Sequence, residues 1–324
     1  MTTPARSHTL VTGGAGFIGS HLVERLLQEG RRVVVIDDFS TGSRDHLRAV
    51  AAHPGLQIIP ARISATTELR ELVAAAEGIF HLAATVGVEL VVKSALHVLE
   101  AGFQETRCLL EAAAAHGTPV LLASSSEVYG KSAKAAFSEA DDLLIGPPNQ
   151  ARWSYACAKL TDEFLALAHA RERGLPVTIV RLFNTVGPRQ TGRYGMVLPR
   201  FIAAARAGTP LQVYGDGSQT RCFCLVSDVV EALLRLRDCP AARGEIFNIG
   251  GTEEVSMLDL ARRVVAALGS SSPIECLPYD QAYAPGFDDL RRRKPQVEKL
   301  HRTIGFRPET PLAEIIRVTA GGRD

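Results

Sequence analysis

Little in this chain favours a membrane, a disulfide framework or a nucleic acid. No run of 18 apolar residues occurs along its 324 positions, so no segment is long enough to cross a bilayer as a helix. The first ten residues, MTTPARSHTL, lack the apolar core of a signal peptide, and secretion is not expected. Charge of one sign is not in excess. Thirty-six Lys and Arg stand against 35 Asp and Glu, leaving +1 and no general positive field to hold a phosphate backbone, so nucleic acid is not an expected partner. The six cysteines (108, 157, 222, 224, 239 and 276) form no CxxC pair, and a chain of this size needs no disulfide staples, which points to a reducing cytoplasm. Cys222 and Cys224 alternate in an apolar, strand-like run with no His or Cys pair nearby; they read as small buried residues, and no metal is expected. Internal repeats and low-complexity tracts are absent.

Hydrophobic residues make up 46% and charged residues 22%, the balance of a globular enzyme. At about 150 residues per domain, the length fits two domains or one large α/β unit. The first 180 residues alternate β-branched runs with Ala/Leu-rich helical stretches, the pattern of βαβ units and a parallel sheet. Strands are predicted at Thr9–Thr12, Val33–Asp37, Gln57–Ile59, Gly78–Leu82, Val120–Ser124 and Val177–Leu182, and helices at His21–Gln28, Val98–Ala115 and Tyr155–Arg173. After Asn184, Gly and Pro become frequent, as expected of an irregular lobe grafted on the sheet, while Cys224–Asp238 and Glu245–Ile249 read again as strand, helix and strand. The expected fold is therefore α/β, a Rossmann-type doubly wound parallel sheet with a smaller mixed C-terminal substrate lobe. Residues 1–183 form the first part, with 224–264 returning to it; residues 184–324 form the lobe, mainly 184–223 and 265–324.

Gly13-Gly14-Ala15-Gly16-Phe17-Ile18-Gly19 follows the first strand and opens a helix. Glycines there allow a sharp turn and let backbone N–H groups approach a pyrophosphate at the helix N-terminus. The second strand ends in Asp37-Asp38, 18 residues after Gly19, near the spacing for an acid on the adenosine ribose. A carboxylate there repels a 2′-phosphate, so NAD is expected rather than NADP.

Two further groups carry chemistry. Tyr155 and Lys159, spaced i, i+4, share one helix face, where an ammonium beside a phenol favours the phenolate and, with a nicotinamide cation adding to it, moves its pKa towards neutrality. Ser124-Ser125-Ser126-Glu127-Val128-Tyr129-Gly130 follows the apolar strand Val120-Leu121-Leu122-Ala123, at the carboxyl end that faces the ligand crevice of a parallel sheet. A Tyr-Lys pair alone is common by chance, and a serine after a strand often only caps a turn. The two together, downstream of a glycine turn, are more specific.

The segments GGAGFIG, DDFSTG (37–42), HLAA (81–84) and Tyr155-x-x-x-Lys159 resemble the extended short-chain dehydrogenases/reductases, the family of nucleotide-sugar epimerases, dehydratases and decarboxylases, over nearly the whole chain. The resemblance implies that Ser40, Thr41 and Gly42 wrap the adenosine with Asp37 and Asp38, and that Leu82, Ala83 and Ala84 run beside the nicotinamide ribose. It places Ser125 at the catalytic Ser/Thr position. Relatives carry an acid near the adenine where this chain has Ala61-Arg62-Ile63, so contact falls to the backbone or Ile63. Their asparagine is missing from Ala101-Gly102-Phe103-Gln104-Glu105-Thr106.

Glu127 discriminates within the family, because sugar-nucleotide dehydratases and UDP-glucuronate decarboxylases resemble this chain in (S/T)-x-E-V-Y-G, whereas 4-epimerases generally lack the acid. Dehydratases of the dTDP-glucose type have Asp where Ser126 stands, which leans towards decarboxylation. Arg152-Trp153-Ser154-Tyr155, the segment 217–223 and Gly286-Phe287-Asp288-Asp289 with Arg293-Lys294-Pro295 resemble the decarboxylases in the same order. The implied reaction is NAD-dependent oxidation at C4 of UDP-glucuronate, loss of CO2 and reduction to UDP-xylose, or release of the 4-keto pentose. Tyr155, Lys159, Ser125, Glu127 and Arg221 are its expected catalytic residues, with Arg221 or a water on Glu127 returning a proton to C5. The resemblance also implies a UDP-sugar held by Ser126, Asn184, Arg189, Tyr214, Arg221 and Arg293, with Asn184 and the arginines near the diphosphate and sugar, where guanidinium forks suit phosphate oxygens, and Tyr214 by the uracil. Arg291 and Arg292 read as a solvated face. A 4-epimerase, a 4,6-dehydratase and a catalytically silent NAD sensor stay open as alternatives. The resemblance also implies a homodimer through the helices 98–115 and 155–173.

Overall fold

A computed structural model of the chain describes residues 6–84, 95–192, 196–278 and 291–321. Seven strands form one parallel sheet: β1 (His8–Thr12), β2 (Val33–Ile36), β3 (Leu56–Ile59), β4 (Ala76–His81), β5 (Val120–Ser125), β6 (Val177–Leu182) and β11 (Ile246–Ile249), in the order β11-β6-β5-β4-β1-β2-β3. The run Val33-Val34-Val35-Ile36 is buried on both faces, as a strand with helices above and below requires. Alternate side chains divide between two cores. Val11, Val35 and Phe80 enter one; Leu10, Val34 and Ile79 enter the other. Helix α1 (Phe17–Gln28) packs Leu22, Val23 and Leu26 into the first core, α2 (Leu69–Ala74) packs Val73 into the second, and α3 (Ala95–His116) adds Leu109 and Leu110 to it. Strand order reverses between β1 and β4, so their carboxyl ends flank a crevice.

Helix α4 (Trp153–Arg173) is bound to the sheet by a buried ion pair. Arg181 on β6 donates from Nε and Nη2 to Glu163 Oε1 and Oε2 at 3.0 and 2.7 Å, and Ser124 Oγ donates to Oε1 at 2.5 Å. Burial opposes the Arg181 charge, but the Glu163 carboxylate more than offsets it and raises the pKa further.

The second lobe has its own core. Helix α5 (Val197–Ala207) and strand β8 (Leu211–Tyr214) bring Phe201 and Leu211 against Met257, Leu260 and Val264 of α7 (Met257–Leu268) and Ile315 of α9 (Leu312–Gly321). Strand β9 (Thr220–Cys222) lies between β12 (Glu254–Ser256) and β14 (Arg292–Arg293), while β13 (Ile274–Leu277) pairs with β8. The short strands β7 (Thr185–Val186) and β10 (Cys224–Leu225) pair where the chain passes between the parts.

This packing redraws the expected boundaries. Helix α6 (Val226–Arg237) and β11 return to the sheet, but α7 belongs to the lobe, so the return ends near residue 250 rather than 264. Helix α8 (Glu298–Ile304), expected in the lobe, places Leu300 in the sheet-side core with Phe247. Burial, not chain order, decides both cases. Cys222 and Cys224 are buried free thiols. Among the described residues no helix is long and apolar enough to cross a membrane. Gly286–Asp289 lie outside the described residues.

Replacing Glu163 with Ala strands the Arg181 guanidinium inside the protein, and a loss of about 3–5 kcal/mol is expected in denaturant unfolding. A loss within the range of an exposed pair, below about 1 kcal/mol, contradicts the role given to this ion pair.

Candidate active site

A cavity of about 530 Å³ runs along the carboxyl ends of the strands and between the two lobes, from Gly13 and Asp37 at one end past Ser125 and Tyr155 to Tyr214 and Arg293. At its first end the glycine turn is set by contact. Gly13 has φ +72°, and a Cβ there would stand 2.7 Å from the Ala83 nitrogen; one on Gly19 would stand 2.1 Å from the Gly13 carbonyl oxygen. Gly16 caps α1 without a side chain, which leaves room for an anion at the helix N-terminus. Asp37 braces the turn, accepting from Ala15 N and Phe39 N at 2.8 Å each, while Asp38 accepts from Ser40 N at 2.9 Å. Burial pushes the Asp37 carboxyl up. Phe17, Ile18, Ser40, Thr41, Gly42 and Ile63 form the surround: all but Gly42 line the cavity, as do Leu82, Ala83 and Ala84, and Gly42 packs against Ala15. These residues fit a dinucleotide, with an open glycine cradle for the pyrophosphate and carboxylates for ribose hydroxyls.

Arg62, standing in place of the relatives' acid, pairs with Asp38 across 3.4 Å. The same corner is held from α3, where Glu105 accepts from Ser64 N at 2.9 Å. His81, the first residue of HLAA, is buried between Thr12 Oγ1 at 2.8 Å and Thr106 Oγ1 at 3.0 Å. Burial drives its pKa down to about 3, so it is a neutral brace joining β1, β4 and α3.

The middle of the cavity holds the expected reactive groups. Ser125 ends β5; its Oγ accepts from Glu127 N at 3.2 Å, capping the turn, and it lies close enough to the Tyr155 phenol to lower that group's pKa. Lys159 donates to Ala123 O at 3.1 Å and to Asp162 Oδ2 at 3.2 Å. Burial opposes the ammonium, but Asp162 and Tyr155 hold its pKa above the ordinary lysine value. Burial raises the pKa of the Tyr155 phenol, Lys159 and Ser125 pull it back, and Glu127 adds to the rise, so the expected move towards neutrality falls to the added nicotinamide cation.

Glu127 is gripped from both sides. Arg152 Nη2 donates to Oε2 at 3.2 Å and Arg293 Nη2 to Oε1 at 2.6 Å, with all three side chains largely buried. Burial alone would raise this carboxyl, yet the Arg293 and Arg152 guanidinium groups hold it below the usual glutamate value. Arg221, expected as a proton source, lines the cavity and donates to the Thr220 carbonyl at 2.8 Å; Arg293 and Arg152, not Arg221, meet Glu127. Arg293 was expected only as a substrate ligand, and its Nε is buried with no hydrogen-bond partner among the described residues.

The remaining expected substrate residues fall unevenly. Ser126 is buried at the cavity wall, and Asn184, with φ +25°, donates to Cys222 O at 2.9 Å. Tyr214 lies at the far end under the Arg200 guanidinium, 4.0 Å from ring centre. Arg189 turns away to the glycine-turn side, with Nη2 2.6 Å from Glu24 Oε2. Asp162 and Arg200 were not singled out from sequence, and Arg152 entered only within the segment Arg152-Trp153-Ser154-Tyr155, with no role given to it. Asp162 was accessible, since it sits three residues beyond Lys159 on the same helix face. Arg200 lacked a comparable signal.

A sequence profile of the NAD dependent epimerase/dehydratase family matches residues 9–250. The UDP-N-acetyl-alpha-D-glucosaminuronate decarboxylase of Bacillus cytotoxicus is 42% identical over 315 residues, 97% of each chain. UDP-glucuronic acid decarboxylase 6 of Arabidopsis thaliana is 34% identical over 316 residues, 94% of this chain and 85% of that one. Among solved structures, the UDP-glucuronic acid 4-epimerase of Bacillus cereus, in complex with UDP-glucuronic acid and NAD, superposes with a TM-score of 0.85 at 27% identity, covering 97% of this chain and 98% of that one.

The grip on Glu127 has a pH signature. A carboxyl whose folded pKa is depressed adds stability that is fully present above its unfolded value, ordinarily 4.5, and is lost as pH falls through the lower folded value. The stability advantage of the protein over its Glu127→Gln variant is therefore expected to shrink as denaturation is followed downwards from that pH. An advantage that stays constant or grows on acidification contradicts the depressed pKa.

Proposed function

Because the chain belongs to the NAD dependent epimerase/dehydratase family, we propose that it is an NAD-dependent decarboxylase of a UDP-hexuronate, with UDP-glucuronate as the first substrate. One observation carries this reading: a tyrosine-lysine-serine oxidation site shares its cavity with an ionised glutamate held between two arginines. The cluster's two cations against one anion leave a positive charge to receive a sugar carboxylate.

Bound NAD supplies an acceptor for the hydrogen at C4 of the hexose and later returns it. Tyr155 takes the proton of the C4 hydroxyl, with Ser125 beside the phenol, Lys159 as the adjacent fixed cation and the nicotinamide cation adding the rest of the pull towards the phenolate. Asp162 keeps that cation in place. With C4 a ketone, the C6 carboxylate is β to a carbonyl. Its C5–C6 bond breaks to release CO2, and the electron pair passes to the C4 oxygen as an enolate. Tyr155 and Ser125 donate to that oxygen. Of the two expected proton sources, a water held by the Glu127–Arg293 pair returns the proton to C5, and the hydroxide left is neutralised by a proton from bulk solvent; Glu127 itself is ionised and acts as acceptor and orienter rather than as acid. Reduction at C4 completes UDP-xylose, and early release gives the 4-keto pentose.

A second reading concerns the substituent at C2. The Bacillus relative at 42% identity is named for the 2-acetamido uronate, so that UDP-sugar is the second substrate to test. A homodimer is proposed on the exposed apolar face of α3, where Leu96, Leu99 and Phe103 are 68%, 40% and 42% accessible, with Phe164 of α4 at 62%. A cytoplasmic location is proposed from six free thiols and a nucleotide-sugar substrate.

Incubation with UDP-glucuronate and, separately, its 2-acetamido analogue is expected to yield CO2 and a nucleotide of a pentose from at least one of them. A uronate of unchanged mass with C4 inverted supports a 4-epimerase instead, and unaltered substrate supports a silent sensor. Tyr155→Phe is expected to lower kcat by about 10²–10⁴-fold, with KM changed far less; full turnover in that variant removes the catalytic assignment.

A further inference from the structure

The turn after β7 is strained in a way that points back at the cofactor cradle. Arg189 has φ +67°, a conformation side-chain-bearing residues adopt only where the surroundings impose it. Three contacts impose it here. The Pro188 carbonyl lies 3.0 Å from His21 Nε2, Arg189 Nη2 donates to Glu24 Oε2 at 2.6 Å, and Arg189 Nη1 donates to His46 O at 3.3 Å. His21 and Glu24 belong to α1, the helix that opens at the glycine turn. His46 belongs to the segment after Gly42, and its Nδ1 lies 2.9 Å from the Ala15 carbonyl inside that turn. One guanidinium thus joins the glycine-turn helix and the adenosine-side segment to the strand leading into the second lobe. Arg189, His46, Gly13 and Gly16 line the same cavity.

The tie resists opening. Arg189 and Glu24 are largely buried, and Glu24 Oε1 is buried with no hydrogen-bond partner among the described residues, so breaking the pair strands a carboxylate away from water. We propose that Arg189 is a positioning residue that straps the pyrophosphate end of the dinucleotide site, slowing release of the cofactor rather than binding the sugar nucleotide. The inference rests on the NAD reading above. A reaction that oxidises and then reduces one substrate molecule needs its cofactor held throughout the cycle, and a partly buried ion pair across the cradle supplies that hold.

NADH and UDP serve as separate probes on the full-length protein. Bound NADH is chased with excess NAD+ and followed by its fluorescence, while UDP affinity is measured by calorimetry. Arg189→Ala is expected to speed NADH dissociation by about tenfold or more while UDP affinity stays within about twofold, because a lost clamp shows mainly in the off-rate. Arg189→Lys recovers part of the slow release, and Glu24→Gln speeds release by a smaller factor, keeping the test valid where Arg189→Ala folds poorly. Unchanged NADH release in the Arg189 and Glu24 variants overturns the strap alone, as does a loss confined to UDP affinity. A wild-type protein that binds no NADH overturns the strap together with the functional reading.

Discussion

A carboxylate withdrawn from water stays charged only where cations replace the solvent it has lost, and the centre of this protein is organised around that condition at Glu127. The glutamate follows β5, one arginine comes from the start of α4, and the other comes from β14 in the second lobe. Three elements from two parts of the chain must be in place before the charge is compensated. The cluster is therefore a register mark for the two lobes as well as a chemical feature. It also bears on its neighbour, since burial raises the Tyr155 phenol and the same anion that attracts the arginines adds to the rise.

The sheet explains how so few residues serve so many contacts. All seven strands are parallel, so their carboxyl ends open on one side, and the glycine turn after β1, the backbone after β4 and the serines after β5 meet there without long loops. Helix α4 then delivers Tyr155, Lys159 and Asp162 from one face, and Glu163 on the same helix locks it to β6 through Arg181. Chemistry and attachment alternate along a single helix. The neutral His81 performs a comparable task under the cofactor site, joining two strands and α3 through threonine hydroxyls.

Local patterns were legible in the sequence wherever the physics was local. The β-branched runs marked the first six strands, the glycine triplet marked the cradle, and the four-residue spacing of Tyr155 and Lys159 placed both on one face. Long-range pairings were not. Arg293 meets Glu127 across 166 positions, and nothing in either neighbourhood specifies the other. The resemblance put Arg189 near the diphosphate, yet Glu24 on α1 claims it. The lobe boundary failed for a related reason: α7 and α8 are both amphipathic segments, and only the core each one meets tells which part it belongs to. The Lys159 contribution to the phenol's pKa was visible in sequence, whereas the burial that opposes it was not.

The account stands on carbon–carbon bond cleavage after oxidation at C4, with the electron pair left on C5 and taken up by a solvent-derived proton. Running the reaction with UDP-glucuronate in D2O and examining the sugar by NMR measures that step. The account predicts a pentose nucleotide carrying one deuterium at C5, delivered alongside CO2. A six-carbon uronate recovered without deuterium at C5 would contradict it.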